Sequence, residues 1–305
     1  MLAHRDGVGA SQVSLPAGAW ARMLDFLVER FPAVAASDWI ARMESGDVID
    51  AAGRAVAPDQ AYAPHGKLYY YRTVPHESPN AAQAAVLFED ELLVVADKPH
   101  FLPVMPAGQY LQETLLIRLR RELDVPGLTP LHRIDRETAG VVLFAKHPSI
   151  CAGYQALFAG REVTKQYQAI APATTALQFP LTRQNTLVEG DHFMTMREVD
   201  PPHGARPNAH TDIDVMETRG AWARYRLHPA SGKRHQLRVH MAALGLPILG
   251  DRIYPRLLPP GTDDVANPLR LLAESIAFRD PVSGQDRHYR STRRLHFPAG
   301  DDNTE

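Results

Sequence analysis

Pro130-Leu131-His132-Arg133-Ile134-Asp135-Arg136-Glu137-Thr138-Ala139-Gly140 runs without a break into Val141-Val142-Leu143-Phe144-Ala145. The second stretch is short and wholly apolar, which reads as a strand buried on both faces. The first crowds a histidine, two arginines and two carboxylates into a turn ahead of it. That many charges beside a buried strand are costly for a loop that serves structure alone. Rigid strands often hold functional groups on the loops at their ends. Composition by itself favours a salt-bridged surface turn, so the decision rests on what surrounds the segment.

Upstream, Val86-Leu87-Phe88 and the apolar run 92–96 flank Glu89-Asp90-Glu91, a hairpin pattern closed by Asp97-Lys98-Pro99. The spacing of Leu115, Leu116 and Leu119 predicts a helix over 114–123. Downstream, 150–158 reads as a helix and 165–171 as a strand. Residues 210–215 and 221–227 alternate as strands, and 234–244 reads as a helix with Leu237, Met241 and Leu244 toward a core. Residues 271–278 form another apolar run. The polar stretch 183–210, rich in Gly, Pro and His, reads as loop, partly extended. Strands and helices mix without regular alternation, which favours an α+β fold over a doubly wound sheet.

On the N-terminal side, 20–34 reads as an amphipathic helix and 37–44 as a second, with Ser37 as N-cap and Gly46 as stop. Val48, Ile49 and Val56 around Ala52-Gly53 suggest a small hairpin, and 68–71 a strand. The expected organisation is a flexible N-terminus (1–18), a small module (19–74), a linker (75–85), a main domain (86–298) and a flexible tail (299–305).

The one cysteine in 305 residues, Cys151, excludes an internal disulfide framework and a Cys-rich zinc site, and fits a reducing compartment. The first twenty residues lack a basic segment followed by an apolar one. No apolar run reaches the roughly 18 residues of a membrane span. A cytoplasmic protein, a monomer without a long apolar seam, is the expectation. Net charge is −2, but unevenly spread. Between Trp222 and Arg256 seven basic residues face Asp251 alone, whereas 20–60 carries seven acidic residues against four basic ones. The basic stretch fits a polyanion, or a solvated basic surface.

Within it stands Ser231-Gly232-Lys233-Arg234-His235-Gln236-Leu237-Arg238-Val239-His240. Arg234 and Arg238, four apart, are expected on one helical face, where a guanidinium can pair bidentately with a carboxylate or phosphate. His235 and His240, five apart, miss the spacing of helical metal ligands, and no HExxH occurs, so no metal site is expected.

Together these stretches resemble the RNA pseudouridine synthases of the large-ribosomal-subunit (RluA-like) type. That family's His-Arg-Leu-Asp-x-x-Thr-Ser-Gly segment is matched by 132–140, with Ile134 for leucine and Ala139 for serine. Its Gly-Arg-x-His-Gln-Ile-Arg-Val-His segment is matched by 232–240, with Leu237 for isoleucine. Its Lys-x-Tyr motif is matched by Lys165-Gln166-Tyr167, and further similarity covers 94–99 and 245–251. The resemblance spans roughly 86–298, and its strength lies in several motifs in the right order.

The resemblance implies a mixed, largely antiparallel central sheet with flanking helices, preceded by a small α/β S4-like module that looks degenerate because it is acidic. It implies an isomerase acting on structured RNA (ribosomal RNA, transfer RNA or both), without cofactor, metal or membrane. Asp135 would act on the ribose, Arg238 would pair with it and keep it ionised, and Tyr167 would stack on the base. Leu237 would line the base pocket. Arg133 would enter the RNA stack and hold the target nucleotide flipped out. Lys165 and Arg234 would contact phosphates. The other readings are a non-catalytic RNA-binding or ribosome-assembly protein that keeps the fold, and an unrelated hydrolase using His132 and Asp135. The hydrolase lacks a nucleophile or metal set.

Overall fold

The computed structural model describes residues 5, 7–72, 77, 81–201, 204–259, 261 and 263–298. The expected tail 299–305 and residues 75, 76 and 78–80 of the expected linker lie outside them. The chain divides into two units: Met1–Ser78 with Pro106–Glu113, and Pro79–Met105 with Thr114–Glu305. Residues 106–113, expected in the main domain, therefore cluster with the first unit.

In the first unit, β1 (Ser11–Ser14), α1 (Met23–Arg30), α2 (Ala36–Glu44), β2 (Val48–Asp50) and β3 (Lys67–Tyr70) build a three-stranded antiparallel sheet, order β1-β3-β2, with two helices. The stretch expected to be flexible thus supplies an edge strand. Val13 and Leu15 are buried in the same cluster as Leu27, Trp39 and Leu68, so ordering 11–15 removes apolar surface from water. The N-cap of α2 is Ala35, not Ser37. The Glu77 carboxylate accepts the backbone N–H groups of Leu111, Gln112 and Glu113 at 2.7–2.8 Å. That contact joins two pieces of the unit that are distant in sequence.

The second unit contains β4 (Ala85–Glu89), β5 (Leu93–Lys98), α3 (Leu115–Glu122), β6 (Thr129–Pro130), β7 (Ala139–Ala145), α4 (Cys151–Gly160), β8 (Thr164–Pro172), β9 (Leu181–Glu189), β10 (Met196–Val199), β11 (Ala209–Arg219), β12 (Trp222–Pro229), α5 (Gln236–Ala243), β13 (Leu271–Arg279) and β14 (Asp286–Arg290). The strands of its described residues form one sheet, order β10-β9-β11-β12-β8-β13-β7-β5-β4, with β14 on β13 and β6 on β7. All these pairings are antiparallel except β13 with β7. The α+β fold with a mixed, largely antiparallel sheet is the one expected.

Residues 139–145 are buried at every position, as a strand covered on both faces must be. Gly140 makes the parallel junction possible. It pairs with Ala273 and has φ 115°, and a Cβ there would lie 2.1 Å from the Ala273 carbonyl oxygen. The expected loop 183–210 is more extended than its composition suggests: it carries most of β9, all of β10 and the start of β11, with 190–195 and the described residues of 200–208 outside strands. β9 buries only Asn185 and Leu187 of its nine residues, so its sequence stays polar although its backbone is paired on both sides. α5 packs Leu237 and Met241 against Ala169 of β8 and Tyr225 and Leu227 of β12. That packing brings the 231–240 segment to one face of the sheet.

Candidate active site

The 131–138 turn delivers Asp135 to a cavity of about 430 Å³. Thr138 N–H donates to the Asp135 carbonyl at 3.2 Å, closing the turn. His132 lines the same cavity with its ring 5.0 Å from Phe158, and its Nε2 accepts Leu143 N–H at 3.1 Å. Burial, reinforced by the Lys165 charge, pushes its pKa down to about 3, so it is a neutral wall residue.

The backbone just past Asp135 is held from β5. Lys98 Nζ donates to the carbonyls of Pro99 (2.9 Å), Leu102 (2.8 Å) and Arg136 (3.0 Å), while His100 Nδ1 donates to the Glu137 carbonyl at 2.6 Å. Burial pushes the Lys98 pKa down to about 7, against the charges of Glu137 and Asp135. Three carbonyl acceptors use all three N–H groups of an ammonium, so this geometry favours the charged form.

The opposite wall is the 231–238 segment. The Gln236 carboxamide uses its full bonding capacity. Its Oε1 accepts from Ser231 Oγ (2.7 Å) and Lys233 N (3.1 Å), and its Nε2 donates to the His210 carbonyl and Thr211 Oγ1, both at 2.9 Å. His235 has left-handed φ 53°, a conformation uncommon outside glycine. α5 therefore begins at Gln236. Arg234 lies before the helix, exposed and off the cavity, and the helical face it was expected to share with Arg238 does not exist.

Arg238 is the electrostatic centre. Only 1 % of it is exposed. Its Nε and Nη2 donate to the two oxygens of Asp251 at 2.8 and 2.7 Å. Its Nη1 donates to Asp135 Oδ2 at 3.3 Å and lies 3.7 Å from Glu137 Oε2. Burial works against the guanidinium charge, but the Asp251 hydrogen bonds and the charges of Asp251, Asp135 and Glu137 outweigh it and raise the pKa. His235 Nε2 stands 4.0 Å from Asp135 Oδ2, and its Nδ1 is 2.9 Å from Tyr254 Oη, which accepts Met196 N–H at 2.8 Å. Tyr167, on β8, faces the cavity, and burial together with the Asp135 charge raises its pKa. Lys165 donates to the Ser231 carbonyl at 2.9 Å, and burial, helped by Arg161, pushes its pKa down to about 8.

Of the residues singled out in the sequence, Asp135, Tyr167, Arg238, Arg133, Leu237 and Lys165 line this one cavity, and Arg234 does not. The basic stretch is not one face either. Arg238 is buried on Asp251, while Arg224 points to the other side of the sheet, bonded to Gln168 at 3.0 Å and the Leu295 carbonyl at 3.3 Å. Sequence reasoning gave no role to Lys98, His235, Asp251 or Tyr254. Lys98 and Asp251 stand in the quoted stretches 94–99 and 245–251. Their partners are backbone carbonyls and a residue thirteen positions away, which no local pattern reveals.

Residues 92–243 match the family model described as RNA pseudouridylate synthase. The human pseudouridylate synthase RPUSD2 is 33% identical over 183 residues, covering 59% of this chain but 32% of its own length. The chain thus spans about a third of that relative. The dual-specificity RNA pseudouridine synthase RluA of Salmonella typhimurium is 30% identical over 222 residues, 70% of this chain and 95% of its own. The solved structure of human RNA pseudouridylate synthase domain containing 4 superimposes with TM-score 0.54 at 27% identity, covering 69% of this chain and 88% of that one. With the motif segments gathered around one cavity and a relative matched over nearly its whole length, the chain belongs to the RNA pseudouridylate synthase family.

Proposed function

We propose that the protein isomerises selected uridines of structured RNA to pseudouridine, with Asp135 as the catalytic carboxylate. The observation that carries this reading is a partly buried carboxylate lining the cavity, bonded end-on by a buried arginine. Asp135 acts on the ribose and the N1–C1′ bond breaks. Uracil turns in the cavity, C5 bonds to C1′, the C5 proton leaves and N1 takes one up. Atoms and charge balance without redox change. A carboxylate suits a centre that develops oxocarbenium character. Arg238 pairs with it and orients it, Tyr167 and Leu237 hold the base, Arg133 takes the vacated place in the stack, and Lys165 contacts phosphate.

Ribosomal RNA, transfer RNA or both are the substrates, a reading supported by the names of two Vibrio cholerae relatives, ribosomal large subunit pseudouridine synthase D and tRNA pseudouridine synthase C. The alternative of a non-catalytic binder is disfavoured because Asp135, Tyr167 and Arg238 are all present around one cavity. We read the first unit, acidic over 20–60, as a degenerate S4-like module that positions the second or binds protein. We place the enzyme in the cytoplasm as a monomer, on its single cysteine and lack of a long apolar seam in the sequence.

The test is tritium release from RNA labelled at uridine C5. Wild type is expected to release it and Asp135→Asn to release none while still binding RNA. No release by wild type, with unmodified ribosomal and transfer RNA both offered, overturns the proposal.

A further inference from the structure

The stretch 245–251 was marked in the sequence without a task. In the structure Gly250 has φ 80°, and a Cβ there would fall 2.4 Å from the Pro268 carbonyl oxygen. Only a glycine passes that point unstrained, and the next residue is carried straight to Arg238. The side chain of Asp251 is 1 % exposed. Its Oδ2 accepts Arg238 Nε, and its Oδ1 accepts Arg238 Nη2 together with the backbone N–H groups of Ile253 (2.8 Å) and Tyr254 (3.1 Å). Four donors fix this carboxylate in place and orientation.

An arginine beside a carboxylate prefers the two-pronged fork, with parallel N–H bonds to both oxygens. Here the fork is spent on Asp251. What reaches Asp135 is the single outward nitrogen Nη1, bonded to Oδ2 alone. Asp135 Oδ1 has no hydrogen-bond partner among the described residues. The groups that face Asp135 are Arg238 on α5 and His235 just ahead of it, Glu137 on its own turn, Lys98 from β5 and Tyr167 from β8. Of these, Arg238 alone is both close and permanently charged.

We propose that Asp251 is a positioning residue that occupies the Arg238 fork, so that Asp135 is held by one oxygen and keeps the other free to act on substrate. The inference rests on the assignment of Asp135 as the catalytic carboxylate. Without Asp251 the guanidinium re-seats on Asp135 with both prongs and over-stabilises its anion. The same carboxylate also sets Tyr254, whose hydroxyl meets His235, so one side chain places both groups that approach Asp135 Oδ2.

Asp251→Asn is the principal variant. Its amide oxygen still accepts from Ile253 and Tyr254, and the buried cluster keeps Arg238 against Asp135 and Glu137, so no cation is orphaned. The expected result in the full chain is a kcat at least tenfold lower with KM for RNA unchanged. The acid limb of kcat moves to lower pH, because a negative charge beside Arg238 is removed. A residue that only supported the fold would lower stability without moving that limb. Asp251→Glu is expected to restore the wild-type limb but little of kcat, since a longer side chain displaces the fork. Wild-type kcat and limb in Asp251→Asn, or a raised KM with kcat intact, overturn the proposal.

A crystal structure of Asp251→Ala is read independently of turnover. Arg238 forked onto Asp135 supports the inference, and an unmoved guanidinium overturns it. Absence of tritium release from wild type would instead sink the assignment of the reaction, so the two failures are distinguishable.

Discussion

Replacing Lys98 by methionine keeps the length and most of the volume of the side chain but removes the ammonium. Three backbone carbonyls then lose their donor in a site that water does not reach, since Lys98 has no exposed surface. A hydrogen bond from a charged donor contributes about 1.5–3 kcal/mol, and a buried acceptor left unpaired costs about 1–3 kcal/mol. Relief from burying the cation offsets part of this, so the expected loss is about 3–5 kcal/mol, as for breaking a buried ion pair. That is a large share of the roughly 5–15 kcal/mol that holds a typical domain together. In a unit of this size it lowers Tm by about 10 °C. Turnover by the folded fraction should fall as well, because one released carbonyl belongs to Arg136, the neighbour of Asp135. Guanidinium titration followed by calorimetry measures the stability, and single-turnover tritium release measures the chemistry. Lys98→Arg is the control: a planar fork cannot address three carbonyls around one point, so it too should destabilise. A loss below about 1 kcal/mol in Lys98→Met, or full stability in Lys98→Arg, would refute the tripod argument.

His240 has no exposed surface, donating from Nε2 to Asn185 Oδ1 (3.1 Å) and accepting at Nδ1 from Thr211 Oγ1 (2.9 Å), and burial pushes its pKa down to about 4. Its contribution is fully present above about pH 6.5 and is lost as pH falls, because the unfolded imidazole protonates first; about 3 kcal/mol should be gone by pH 4. Denaturation midpoints across that window should fall, and less steeply in His240→Gln; parallel curves would contradict the assignment. Gly140→Ala places a Cβ against the Ala273 backbone and should cost about 3 kcal/mol or more, read as a lower denaturant midpoint at unchanged slope. Arg234→Ala, on an exposed residue off the cavity, should leave turnover within about twofold of wild type. A tenfold loss would return Arg234 to the site.

Much of the second unit was legible in the sequence because its strands and helices bury continuous apolar faces. The run 141–145 could be little else than a central strand, and Leu115, Leu116 and Leu119 announce α3. The misreadings share a cause: long-range pairing overrode local character. β9 and β10 are polar because they lie near the sheet edge, where backbone bonds rather than side chains commit them. Apolar spacing extended the last helix of the core back to Arg234, but the left-handed backbone of His235 cuts it short. Six of the seven residues singled out for the site meet at one cavity, since motif order survives folding. The groups that hold them, Lys98, Asp251 and Tyr254, stayed unassigned because their work is done on backbone carbonyls and on buried charge far along the chain.

The parallel junction between β7 and β13 rests on two residue pairs, Ala139 with Leu272 and Gly140 with Ala273. On one side the β4–β5 hairpin and its pairing to β7 assemble within a short span of chain, and on the other the β11–β12 hairpin and β8 do the same. The junction is the longest-range strand pairing in the unit, which makes it a high-contact-order event and a slow one. Asp135 and Arg238, 103 residues apart, arrive from opposite sides of that junction. The ion pair at the cavity therefore forms only after the chain has closed on itself, and recovery of activity during refolding should trail the recovery of helix and hairpin signals.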